Sequence, residues 1–281
     1  MNPHRHDAIG FWLKRVTCLA MIAGAVVTVN AQNKLPERKQ NITPLTPPSH
    51  WVTNSTTKAK LAVHLLPAPG RDVHKSPTLI LIPGGNGDSR LFLGGQSLAR
   101  TIAKAGFTVI VFDPDGRGNS EGKEDYCGFK HQDGLASIIR WAAQQREVDP
   151  EQIGLGSNSY GVTMATGVLA RYPGLPVRFL IDWEGPMDRK DTGGCDPNKK
   201  GMGGHLKTVA KCDDENFWRE REAINFVGKL RVPYQRVQSE RDHVQSDNHH
   251  AIAMVNAALA GGVPEVPANH DRARRPSPRW Q

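Results

Sequence analysis

The middle of this 281-residue chain has no surplus of positive charge. The formal net charge is +8, but the excess falls within the first 60 and the last 14 residues, leaving 61–267 close to neutral. A nucleic-acid binder carries a basic stripe on its folded domain, so that class is set aside. Long apolar runs are also missing. The longest, Cys18–Val29, falls short of the roughly 20 residues that cross a bilayer. No Gly-Lys-Ser/Thr follows a glycine-rich stretch, and no Gly-x-Gly-x-x-Gly opens a helix, so the glycine loops are not phosphate cradles. Cysteine is scarce, at four residues. Cys195, His205 and Cys212 lack the close pairing of zinc ligands, so neither metal nor cofactor is expected.

What is present begins with a leader. Arg5, Lys14 and Arg15 precede the apolar run, and Val29-Asn30-Ala31 supplies the small residues of a cleavage site, the layout of a secretory signal over 1–31. The expected locations are therefore secreted or periplasmic, with no stable membrane insertion after the signal is removed. Export permits disulfides, and Cys195 and Cys212 would staple a glycine- and lysine-rich segment. Cys127 is then a lone buried thiol. Residues 32–57, with Pro44, Pro47 and Pro48, have linker composition. Asn41-Ile42-Thr43 and Asn54-Ser55-Thr56 match the glycosylation acceptor pattern. The folded domain is expected over 58–267, with a lid insertion at about 186–230, and 268–281 forms a basic tail.

Within the domain, apolar runs alternate with helical periodicity. Leu61–Leu66, Thr78–Ile82, Phe107–Phe112, Arg178–Gly185 and Val232–Gln238 read as strands. Residues 95–105, Asp133–Arg146, Asp214–Leu230 and Asp247–Leu259 read as helices. Such alternation argues an α/β fold with a parallel sheet covered on both faces, whose ligands bind beyond the carboxyl ends of the strands. One junction stands out. The run Ile153–Gly156 leads into Ser157-Asn158-Ser159-Tyr160-Gly161 and then into a helix-forming run to Arg171. Small residues two positions either side of Ser159 allow a sharp strand-to-helix turn that exposes its side chain, the nucleophile-elbow pattern with Ser157 at the first glycine position.

Three landmarks in this order give the resemblance. The strand into Pro83-Gly84-Gly85-Asn86 resembles a His-Gly-Gly oxyanion loop, with proline for histidine. Asp113-x-x-Gly116-x-Gly118-x-Ser120-x-Gly122 is similar to an Asp-x-Arg-Gly-x-Gly-x-Ser loop, with Asp115 at the arginine position. The elbow is the third. Over residues 60–260 the chain resembles the α/β-hydrolase superfamily, closest to dienelactone-hydrolase-like, prolyl-peptidase-like and cocaine-esterase-like serine hydrolases. The resemblance implies a mostly parallel central sheet, Ser159 as nucleophile, Asp242 as the acid and His270, 28 residues later, as the base. It also implies an oxyanion hole from the N–H of Tyr160 and one from Gly85 or Asn86. Asp182 and Glu184 are the reserve acids, and His243, His249 and His250 are surface or supporting histidines. The activity implied is cleavage of a carboxylic ester in a small-molecule or acylated substrate, with Trp183 and Trp218 as pocket walls. Peptidase action on short peptides, or a catalytically silent binding protein on the same fold, are the other readings.

Overall fold

The computed structural model describes residues 45–70, 75–190, 195, 209–239 and 248–264. The segments read as signal (1–31) and tail (268–281), together with Asn41, His205, Asp242, His243 and His270, lie outside the described residues.

Seven strands form one sheet in the order β1-β2-β4-β3-β5-β6-β7. They are β1 (His50–Thr53), β2 (Lys60–Leu66), β3 (Ser76–Ile82), β4 (Thr108–Phe112), β5 (Val148–Asn158), β6 (Val177–Trp183) and β7 (Tyr234–Val237). β1 pairs antiparallel with β2, and β2 with β4; every other pairing is parallel. The central parallel strands β3 and β4 are apolar runs, as expected for strands covered on both sides, whereas the edge strand β7 is only half-buried. Ile80 and Ile82 share a core with Ile110, Leu155 and Leu180, into which α3 (Phe129–Ala142) and α4 (Gly161–Arg171) insert Leu135, Ile139, Val162 and Val168. Their alternates Leu79, Leu81, Val109 and Val111 are equally buried on the opposite face, where α2 (Leu98–Lys104) packs against β2 and β4. A short α1 (Arg90–Leu93) precedes α2.

Several boundaries differ from the sequence reading. The stretch taken as linker up to residue 57 supplies β1, because Val52 is buried while its neighbours Trp51 and Thr53 are not. Asn54 is no glycosylation site. It is fully buried, and its amide donates to Asp115 Oδ2 at 2.8 Å and to the Lys130 carbonyl at 3.0 Å. The helix expected over Asp214–Leu230 is two short ones, α5 (Glu215–Trp218) and α6 (Ile224–Val227). Trp218 is no pocket wall; it is fully buried, with its indole N–H on the Lys211 carbonyl at 2.8 Å. Cys195 and Cys212 are disulfide-bonded, and Cys127 is a free buried thiol. The last described helix is α7 (His249–Ala260). No helix among the described residues is long and apolar enough to cross a membrane.

Candidate active site

β5 runs straight into α4, and Ser159 is the hinge between them. Its φ is +47°, a conformation that costs a non-glycine residue about 1–2 kcal/mol. What holds it there is a hydrogen bond from its N–H to the Trp183 carbonyl on β6, at 2.8 Å. Close packing on the other side leaves no freedom either. A Cβ on Gly161 would lie 2.7 Å from the Pro83 carbonyl and 2.9 Å from that of Ile82. A Cβ on Gly84 would lie 2.5 Å from the Asn158 carbonyl and 2.8 Å from Ser159 Cβ. The elbow and the loop after β3 therefore touch backbone to backbone, and only glycine fits at both contacts. Ser157, at the motif's first glycine position, is tolerated because its small side chain is buried with Oγ 3.4 Å from the Ile181 carbonyl.

The loop carrying Gly85 and Asn86 is closed by the Gly87 N–H on the Gly84 carbonyl at 2.8 Å. Gly85 and Asn86 are exposed, Ser159 is half-buried, and Tyr160 opens α4, where first-turn N–H groups have no intrahelical acceptor and the helix dipole is positive. Ser159, the Gly84–Gly87 loop and the helix N-terminus thus meet at one point beyond the sheet's carboxyl edge. The loop after β4 is tied to the same place. Asp113 accepts the N–H groups of Ser89 and Asn119, each at 2.8 Å. Asp115, at the family's arginine position, faces elsewhere and holds the β1–β2 turn through Asn54 and the Thr57 hydroxyl at 2.5 Å.

The reserve acids are internal struts. Asp182, fully buried, accepts the Tyr234 hydroxyl and Arg236 Nη1 on Oδ2, both at 2.7 Å, and the Gly185 N–H on Oδ1 at 3.0 Å. Glu184, at φ +50°, accepts the N–H and hydroxyl of Ser239. This anchors the start of the segment that carries Asp242. His250 is buried with Nε2 3.2 Å from Gln238 Oε1, whereas His249 is exposed. Among the described residues no cluster of His, Cys, Asp and Glu could hold a metal.

One group of residues escaped sequence reading. Arg117, Glu124, Asp125, His131 and Arg221 form a buried polar cluster under the site. Burial, then the neighbouring Arg117 charge, pushes the His131 imidazole down to about 4, against the pull of Glu124 and Asp125. The ring is therefore neutral. Nδ1 faces the Cys127 N–H at 3.2 Å, and Nε2 lies 3.2 Å from the Asp125 N–H and 3.0 Å from the Asp115 carbonyl. Burial alone would raise Glu124, but the hydrogen bonds and charge of Arg117 outweigh it and keep the carboxyl below its ordinary range. The signal for Arg117 was its place inside the Asp113–Gly122 loop; Gly87, 30 residues before it, and the Asp125–Arg221 pair, 96 residues apart, are too distant along the chain to be paired by spacing.

The model of the X-Pro dipeptidyl-peptidase (S15) family matches residues 27–191, more than half of the chain. An uncharacterized 31.7 kDa protein in the traX-finO intergenic region of Escherichia coli is 34% identical over 88 residues, which is 31% of this chain and 30% of that protein. Among solved structures, dipeptidyl peptidase 4 of Porphyromonas gingivalis matches with a TM-score of 0.62 at 16% identity, over 77% of this chain and 31% of that one. The ferulic-acid-bound Est1E of Butyrivibrio proteoclasticus matches with 0.56 at 16% identity, over 74% and 85%. The chain thus spans less than a third of the dipeptidyl peptidase. At these identities the likeness establishes the α/β-hydrolase fold, including its seven-stranded, mostly parallel sheet.

Proposed function

Since the chain belongs to the X-Pro dipeptidyl-peptidase (S15) family, we propose that it is an exported serine hydrolase that cleaves a carboxylic ester through an acyl-enzyme on Ser159. The observation that carries this is the strained elbow, with Ser159 at φ +47° against the Gly84 loop. In the proposed cycle Ser159 Oγ attacks the acyl carbon as His270 takes its proton, with Asp242 holding the imidazole. The N–H of Tyr160 and one from Gly85 or Asn86 receive the oxyanion. The alcohol leaves with the proton, and water attacks the acyl-enzyme by the reverse sequence. Losing one oxyanion donor typically costs about 10²–10³ in rate.

An ester is preferred because the ferulic-acid-bound Est1E matches this chain over 85% of its own length, against 31% for the dipeptidyl peptidase, and because an amide also demands a well-placed acid to protonate the leaving amine. The family model favours a second reading, a peptidase acting on short or proline-containing peptides. Comparing the turnover of p-nitrophenyl acetate with that of an Ala-Pro-p-nitroanilide separates the two. Faster, Ser159-dependent ester cleavage is expected, and preference for the anilide reverses the assignment. Export is supported by the Cys195–Cys212 disulfide, a bond that persists in oxidising compartments. The expected substrate is a small-molecule ester or acylated compound, with no nucleic-acid partner.

A further inference from the structure

Both sides of the site around Ser159 hang from one short segment, Glu124–Cys127, between β4 and α3. On the loop side, the buried Arg117 donates from Nη1 to the Gly87 carbonyl at 3.2 Å. Gly87 is the residue whose N–H closes the turn bearing Gly85 and Asn86. The other edge of the same guanidinium grips Glu124 at two points, Nε to Oε2 at 2.7 Å and Nη2 to Oε1 at 2.8 Å. Glu124 Oε1 in turn accepts the N–H groups of Asp125 at 3.0 Å and Tyr126 at 2.6 Å.

On the elbow side, the Tyr160 hydroxyl donates to the Arg221 carbonyl at 2.7 Å. Arg221 is bound by the next residue of the segment, through Nη2 to Asp125 Oδ1 at 2.6 Å and Nε to the Asp125 carbonyl at 2.9 Å. The segment itself has little freedom. Tyr126 and Cys127 both have positive φ, +48° and +64°, and the Cys127 carbonyl accepts the Gln132 amide at 3.1 Å. Two adjacent carboxylates, each through one arginine, therefore fix the two structures that are to hold the oxyanion from opposite sides.

We propose that Glu124 and Asp125, acting through Arg117 and Arg221, are positioning residues that set the spacing between the loop amides and the elbow amide. The proposal rests on Ser159 being the nucleophile. None of the four side chains needs to touch substrate. Their leverage comes from the narrow range, about 2.7–3.1 Å, over which oxyanion donors act, and from the roughly 10²-fold cost of a misplacement of about 1 Å. It also explains why arginine stands at 117: a lysine ammonium cannot hold the Gly87 carbonyl and both Glu124 oxygens in one rigid fork.

The test uses the purified full chain and a fluorophosphonate probe, whose phosphoryl oxygen must enter the oxyanion site as Ser159 is labelled. Arg117→Lys and Glu124→Gln are expected to slow labelling about 10- to 100-fold. With p-nitrophenyl acetate they should lower kcat at nearly unchanged KM. Asp133→Asn breaks a comparable polar network, with Arg171 and Tyr172, away from the site. It should label at the wild-type rate even at an equal loss of thermal stability. Tyr160→Phe, which deletes a single hydrogen bond, covers the case in which the charge variants fold poorly; a several-fold slowing is expected. If Arg117→Lys, Glu124→Gln and Tyr160→Phe label no more slowly than Asp133→Asn, the positioning role is wrong. If wild type and Ser159→Ala label alike, the nucleophile reading itself fails, and the positioning role with it.

Discussion

Around β3 and β5 the chain is held in place by shape; around β6 and β7 it is held by charge. At the first pair, Gly84 and Gly161 let two backbones approach to distances that no Cβ survives, and the hinge residue Ser159 follows from that contact. At the second pair, the fully buried Asp182 takes Arg236, Tyr234 and the Gly185 N–H onto its two oxygens, while Glu184 takes Ser239. Steric constraints of the first kind leave small residues at fixed offsets, which a sequence displays openly. Ionic constraints of the second kind leave charged residues tens of positions apart, which it does not. The proposed site needs both, since the acid-bearing segment leaves β7 through Ser239.

The comparison can be tested from the larger effect downward. Asp182→Asn leaves Arg236 buried beside a neutral group, and loss of one partner of a buried pair typically costs about 3–5 kcal/mol. Urea unfolding should report a drop of that order. A loss under about 1 kcal/mol, the range of a surface pair, would mean that β6–β7 is not held by this charge.

Gly84→Ala should cost less stability, about 1–3 kcal/mol as in overpacking, yet strike activity harder. Its Cβ would press on the Asn158 carbonyl and Ser159, so fluorophosphonate labelling should fall by at least ten-fold. Activity that survives Gly84→Ala would break the steric half of the account.

The cluster under the elbow gives a pH signature. His131 titrates at about 4 in the folded protein against an ordinary 6.5. Between those values the unfolded chain binds a proton that the folded chain does not. Stability should therefore be fully present above about 6.5 and be lost as pH falls toward 4. His131→Gln should flatten that slope in melting temperatures measured from pH 7 to 4.5. The smallest effect concerns Cys127. Burial foremost pushes its thiol up to about 11, and thiolate is the reactive form. In the native protein Cys127 should resist a disulfide-exchange reagent at pH 8, then react once the chain is unfolded, as read by peptide mass.

The sequence made the sheet legible because its central strands carry unbroken apolar runs, Thr78–Ile82 and Thr108–Phe112. It made the elbow legible because that motif is local. It misled where the local signal was weak. β1 hides in proline-rich sequence with one buried residue, Val52. Trp218 read as a pocket wall because an indole's periodicity does not reveal that its N–H is satisfied inside the core by Lys211. Asp182 and Glu184 read as reserve acids because strand-tip carboxylates look alike until their partners are known. Least legible was the Glu124–Asp125 clamp. Asp125 and Arg221 are 96 residues apart, and Arg117 stands two positions beyond the place where the superfamily's loop carries its arginine. Asp242 and His270 lie outside the described residues, and their roles stand as proposed.

The central claim is that Ser159 is a nucleophile poised by its elbow. Its most direct measurement is the rate of covalent labelling by a fluorophosphonate, with the modified residue identified by peptide mass. The account predicts a single adduct on Ser159 and none in Ser159→Ala at matched stability. Equal labelling of Ser159→Ala, or an adduct on another residue, would contradict it.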